Sequence, residues 1–194
     1  MSESLPAITK LEAARRQIDF SIDHHFSGGD PFAIHTVVAA ALGILRALAE
    51  SRGDVRTHEA FKRIIRPGKE REFWAVMNRA SNFLKHADRD PQALLEDVRA
   101  EINDGAIFMA ASYYADLSGK VSRPMSVFLA WHASFHPELL TDEYRAGLLT
   151  RIPQAEIEIE RICRMPRALH LKAGLQLLKQ FGSEGGIRVP PEEP

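Results

Sequence analysis

The stretch DPFAIHTVVAAALGILRALAE, residues 30–50, decides the fold class. Asp30 is a good N-cap, and Pro31 suits the first helical position because it has no N–H to leave unpaired. From Pro31 to Glu50 apolar residues stand on nearly every side: Phe32, Ile34, Val37, Val38, Leu42, Ile44, Leu45 and Leu48. A helix apolar all round belongs in the middle of other helices. The spacing therefore predicts the central, most buried helix of a bundle. The run Ala39-Ala40-Ala41 and Gly43 would let neighbours approach closely, and Ser51-Arg52-Gly53 stops the helix.

The same period continues on both sides. Before it, Leu11, Ala14, Ile18, Ile22 and Phe26 form one apolar stripe over 9–26, ended by Ser27-Gly28-Gly29. After it, 54–70 is mixed, with a short helix predicted across 57–65. A helix follows over 70–87, with its seam at Phe73, Val76, Met77, Ala80, Leu84 and Ala87. Residues 92–103 fit a helix or an extended connector equally. Asp104 or Gly105 opens the next helix, to Ser118, and Pro124 opens another, to Phe135. Shorter helices are predicted at 141–151, 154–164 and 167–181, punctuated by Pro153, Pro166 and Gly182. No stretch alternates with a period of two, so no significant sheet is expected. The prediction is an all-α bundle of five to eight helices. It forms one domain over 1–182, within which 139–181 could stand as a C-terminal appendage. The Gly/Pro/Glu-rich tail 183–194 is expected to be disordered.

Composition excludes several classes. The 194 residues carry Lys+Arg 25 against Asp+Glu 26, a formal net charge of -1, unlike a strongly basic nucleic-acid binder or an acidic tail protein. A single Cys, Cys163, allows neither an internal disulfide nor a multi-cysteine zinc site, and its amphipathic setting reads as a packed hydrophobe. The longest uninterrupted apolar run, Val37–Leu45, is short of the ~20 residues that span a bilayer. The start MSESLPAITK lacks the order of a secretory signal. These features point to a cytoplasmic protein with no membrane segment. Phosphate-loop, dinucleotide, zincin, EF-hand and nucleophile-elbow motifs are absent, as is a recognisable DNA-binding motif, and no cofactor is implied.

Three groups could carry chemistry. In Asn78-Arg79-Ala80-Ser81-Asn82-Phe83-Leu84-Lys85-His86, the residues Arg79, Asn82 and His86 share one helical stripe, turned away from the apolar seam. Arg holds phosphate bidentately, His exchanges protons near neutrality, and Asn can fix a tautomer or bind an oxygen. The plain alternative is a solvated polar face. Second, His132 and His136 stand four apart on one face and could chelate a divalent metal, with His35, or His86 and Asp88, completing the set. The plain alternative is a hydrogen-bonded core His35 and two helix-end histidines. The adjacent His24 and His25 point about 100° apart, which disfavours a shared ion. Third, Arg56, Lys62, Arg63, Arg66, Lys69 and Arg71 form a basic run diluted by glutamates, which could touch RNA or simply face solvent. Tyr113-Tyr114 and the Phe and Trp residues read as core.

An Arg, six intervening residues and a His, Arg79 to His86, late in an all-α bundle, resembles the HEPN (higher eukaryotes and prokaryotes nucleotide-binding) superfamily. The resemblance covers helix order over roughly 9–136. It implies a metal-independent ribonuclease or nucleotide-binding site in a homodimer, with Arg79 and His86 catalytic. The common pattern puts the polar residue directly after the Arg, where this chain has Ala80. Separately, the segment Asn-Phe-Leu-Lys-His-Ala, Asn82–Ala87, resembles uncharacterised bacterial all-α proteins. Three readings follow: a non-catalytic interaction or regulatory module, binding a second copy or another protein; an HEPN-like domain acting on RNA; and a His-ligated metal bundle. The first expects the Arg79 stripe solvated or tied up within the chain. The second expects it to line a groove. The third expects three ligands gathered on one ion.

Overall fold

The computed structural model describes residues 6–53, 68, 70–86, 88–89, 91–136, 141–143, 147, 166–181 and 187–188. Six helices are bounded within them: α1 (Lys10–Phe26), α2 (Pro31–Ser51), α3 (Glu70–Lys85), α4 (Ile102–Ser118), α5 (Arg123–Phe135) and α6 (Arg167–Phe181). The all-α bundle read from the apolar periodicity is the observed fold. The helices predicted at 57–65 and 154–164, most of the one at 141–151, Cys163 and all of the basic run but Arg71 lie outside the described residues.

Local chemistry sets the helix starts. The Thr9 hydroxyl accepts from the Glu12 N–H at 3.1 Å, opening α1. The Asp30 carboxylate accepts from the Ala33 N–H at 2.8 Å, as the Asp-Pro pair predicts. The Ser122 hydroxyl accepts from the Met125 N–H at 3.2 Å, opening α5 one residue before Pro124. Gly119 closes α4 in the left-handed conformation, φ 67°.

Helices α1 and α2 form an antiparallel hairpin. Helix α4 packs across both, and α5 and α6 lie against α1. Helix α3 leans on α2 and α4, with the Arg46 guanidinium 5.6 Å from the Trp74 ring centre. Helix α2 is not the most buried element. Thirteen of the 17 residues of α4 are buried, against eight of the 21 in α2. The outer side of α2 exposes Ala33, Ala40, Gly43 and Ala47. These residues raise hydropathy but present little area to water, so exposing them costs little. By length and composition α2 is also the one helix among the described residues apolar enough to cross a membrane. The strict run of nine residues understates this.

Residues 92–100 form turns, a bend and irregular chain, which resolves the open choice there toward a connector. Helix α4 starts at Ile102, so Asp104 sits inside its first turn instead of capping it. Two short strands, β1 (Lys120–Val121) and β2 (Ile187–Arg188), pair antiparallel, Lys120 with Arg188 and Val121 with Ile187. Of the tail expected to be disordered, 183–194, only 187–188 lie among the described residues.

The core is one aromatic and aliphatic cluster. Phe26, Phe128 and Trp131 meet edge-on and tilted, their ring centres 5.3–5.7 Å apart. Helix α6 approaches α1 most closely at Gly174, where a Cβ would fall 2.3 Å from the Phe26 ring. That ring is itself buried and walled by Phe128 and Trp131, so it has no room to retreat. Gly174→Ala is expected to destabilise the fold by about 1–3 kcal/mol, as overpacking does. Urea denaturation of the variant against wild type measures it, and an unchanged midpoint would refute the close approach.

Candidate functional site

Among the described residues, Asp104 is the most heavily bonded charged side chain in the interior, with a side-chain exposure of 2%. Arg167, the first residue of α6, grips it with both arms: Nη1 to Oδ2 at 2.6 Å and Nη2 to Oδ1 at 2.7 Å. His136, which caps the C-terminus of α5, donates from Nε2 to Oδ2 at 2.9 Å. His25, in the last turn of α1, brings Nε2 within 3.0 Å of Oδ1, but off the angle a hydrogen bond requires. Glu101 stands 3.7 Å from the Arg167 Nε at the rim. Residues from α1, α4, α5 and α6 thus meet on one carboxylate. Burial opposes its charge. The Arg167 and His136 hydrogen bonds and the nearby His25 outweigh burial and hold it well below the usual carboxylate range. Its place in the first turn of α4 adds the favourable end of the helix dipole.

His132 lies one turn before His136, their ring centres 4.8 Å apart. It stacks on Phe108 at 4.3 Å and 14°. It is fully buried, and neither ring nitrogen has a hydrogen-bond partner. Burial above all, and then His136 and His25, push it well below the ordinary histidine value, against the pull of Asp104. His132 is therefore a neutral ring in an apolar slot.

His35 belongs to a separate network. Its Nδ1 faces the Asn103 Oδ1 at 3.1 Å and its Nε2 faces the Ser81 Oγ at 3.1 Å. Asn103 donates onward to the Pro31 carbonyl at 2.9 Å. Burial lowers the His35 pKa, so the neutral ring donates to Asn103 and accepts from Ser81. This ties α2, α3 and α4 together and supplies the partner that a histidine in an apolar helix needs. Among the described residues, no group of three or more His, Cys, Asp or Glu is placed to hold a metal ion. The grouping of His35, His132 and His136 is not formed, because both nitrogens of His35 are engaged with Asn103 and Ser81. The bidentate Arg167 also puts a fixed positive charge where a cation would approach Asp104.

The Arg79 stripe lies as its spacing predicts. Met77 and Ala80 are buried, while Asn78, Arg79 and Asn82 are exposed and His86 is half-buried. The Arg79 Nη2 donates to the Glu96 carbonyl at 2.8 Å. The His86 N–H continues the helix to the Asn82 carbonyl at 3.0 Å. A cleft of about 440 Å³ opens elsewhere, between α1, α5 and α6, lined by Asp23, Ser27, Pro124, Leu175, Leu178 and Lys179. None of the candidate site residues read from the sequence lines it. His24 and His25 do diverge: His24 is half-buried and stacked on Phe20 at 3.8 Å, while His25 is buried.

Sequence reading missed Asp104, Arg167 and His25 as members of one site. One signal was available: a lone Asp among apolar residues at a helix start, too acidic for its surroundings to be left unpaired. Nothing in the sequence identifies a partner 63 positions away. No family model matches the chain, and neither a curated protein nor a solved structure matches it.

Removing the carboxylate strands a half-buried guanidinium. Asp104→Ala is expected to lower stability by about 3–5 kcal/mol at pH 7. The folded pKa lies below the unfolded value of 3.8, so the stabilisation is complete above that value and is lost as pH falls beneath it. The gap between wild type and Asp104→Ala should therefore narrow in urea titrations below about pH 4. A gap of constant width would contradict a charged Asp104.

Proposed function

We propose that the chain is a non-catalytic helical-bundle module that acts by binding a second copy of itself or another protein. The observation that carries this reading is the engagement of Arg79. Its guanidinium is bonded to a main-chain carbonyl of its own chain. An arginine that must clamp a phosphate or a developing oxyanion needs its fork open toward the substrate. Here Arg79 is partly spent within the chain, and Asn82 stands exposed beside it. The interior polar groups support the same reading. Asp104, Arg167, His136, His35, Asn103 and Ser81 are used in joining helices.

The second reading, an HEPN-like domain acting on RNA, draws support from one observation. Arg79, Asn82 and His86 lie along the side of α3 that faces away from Met77 and Ala80. A two-fold partner could meet such a face and complete a composite site. One experiment separates the two readings. A labelled single-stranded RNA is incubated in EDTA with wild type and with Arg79→Ala/His86→Ala. The module reading expects no cleavage above background by either protein. Cleavage by wild type alone, leaving cyclic-phosphate ends, would overturn it and establish the ribonuclease. Sedimentation of the same samples reads the oligomeric state.

A further inference from the structure

We propose that the joint around Asp104 is an acid-sensitive latch, which holds α6 on the bundle at neutral pH and releases it when His132 takes up a proton. The inference concerns α6 and does not rest on the reading of α3.

Helix α6 is the most lightly held of the described helices whose burial is resolved along their whole length. Only Gly174 and Leu178 are buried in it, while Leu169 and Phe181 are among its exposed residues. Among the described residues, Arg167 grips Asp104 at one end, the His170 ring stacks on Phe135 at 4.1 Å and its carbonyl accepts from the Trp131 indole at 2.8 Å, and the Phe181 carbonyl accepts from Arg123 at 2.6 Å. Leu171, Leu175 and Leu177 add partly buried packing. A helix held this way opens locally long before the core does.

The groups at the joint are His25 of α1, Asp104 of α4 with Glu101 at its N-cap, His132 of α5 with His136 at its C-cap, and Arg167 of α6. They are placed differently. His25 and His136 each hold Nε2 within 3.0 Å of an oxygen of Asp104. A proton on His132 has no acceptor. Both of its nitrogens are enclosed without a partner, against the Phe108 face and beside His136. On this proposal the charge is hydrated when the joint opens at His136, which adjoins His132 and bonds Asp104. The open form therefore binds the proton that the closed form refuses. Closure is intact above the ordinary histidine value of 6.5 and weakens as pH falls below it. One proton of this kind makes the opening roughly tenfold more favourable at pH 5.5 than at pH 7.5.

Hydrogen exchange of the full chain tests this, read on the α6 peptides 167–181 and on the α2 peptides 31–51, with rates corrected for intrinsic pH dependence. The expected result is a roughly tenfold loss of protection in α6 at pH 5.5, with α2 unchanged. His132→Phe keeps the stack on Phe108 and removes both nitrogens, and its α6 should be insensitive to pH over that range. Three results would overturn the proposal. Protection of α6 could be independent of pH. Protection of α2 and α6 could fall together, which is global unfolding. The loss could persist unchanged in His132→Phe, which places the proton elsewhere. The wild-type comparison decides the first two without any variant.

Discussion

One buried negative charge organises the bundle. A carboxylate with 2% exposure survives only when its partners supply what water would have supplied. Asp104 has a bidentate guanidinium and an imidazole N–H for that purpose, with a second imidazole nearby. These groups stand on α1, α4, α5 and α6. Their relative placement is therefore fixed by direction as well as by apolar contact. Hydrophobic burial would tolerate a helix sliding by a fraction of a turn, but a fork of two parallel hydrogen bonds does not. In a separate network, His35, Asn103 and Ser81 do the same for α2, α3 and α4 with neutral groups. Asn103 and Asp104 are adjacent in the sequence. The first turn of α4 is thus the place where both networks are anchored.

The helices were legible because their signals are local. Asp30-Pro31, Gly119 and the stripe from Leu11 to Phe26 each act within a turn or two, and the structure places helix ends close to where those residues put them. The relative depth of the helices was not legible. Helix α2 reads as the centre because alanine and glycine count as apolar, yet burial depends on what neighbours cover. Helix α4 is deeper, although it carries Asn103, Asp104, Ser112 and two tyrosines. Those polar groups lowered its apparent hydrophobicity, and two of them bond across to other helices, which hydropathy cannot express.

The site residues divide on the same line. The Arg79 face was predictable, since a helix with a defined seam has a defined opposite side. The proximity of His132 and His136 was predictable from their spacing of four. The pairing of Asp104 with Arg167 was not, because it depends on how α6 folds back over α5. The role of His35 was half legible. A histidine in an apolar helix had to find a partner, and that partner proved to be an amide and a hydroxyl instead of a metal.

The distance along the chain between Asp104 and Arg167 has a consequence for the order of assembly. Closing so long a segment costs chain entropy before any contact rewards it. Helices α1 and α2, joined by a short turn, can meet early, and α4 can then cover them. The slot that receives Arg167 exists only once α1, α4 and α5 are in place, because each lines it. Until then Asp104 stays hydrated and the first turn of α4 remains open to water. Helix α6, the last described helix in chain order, is therefore expected to dock last, and its arrival to dry the carboxylate.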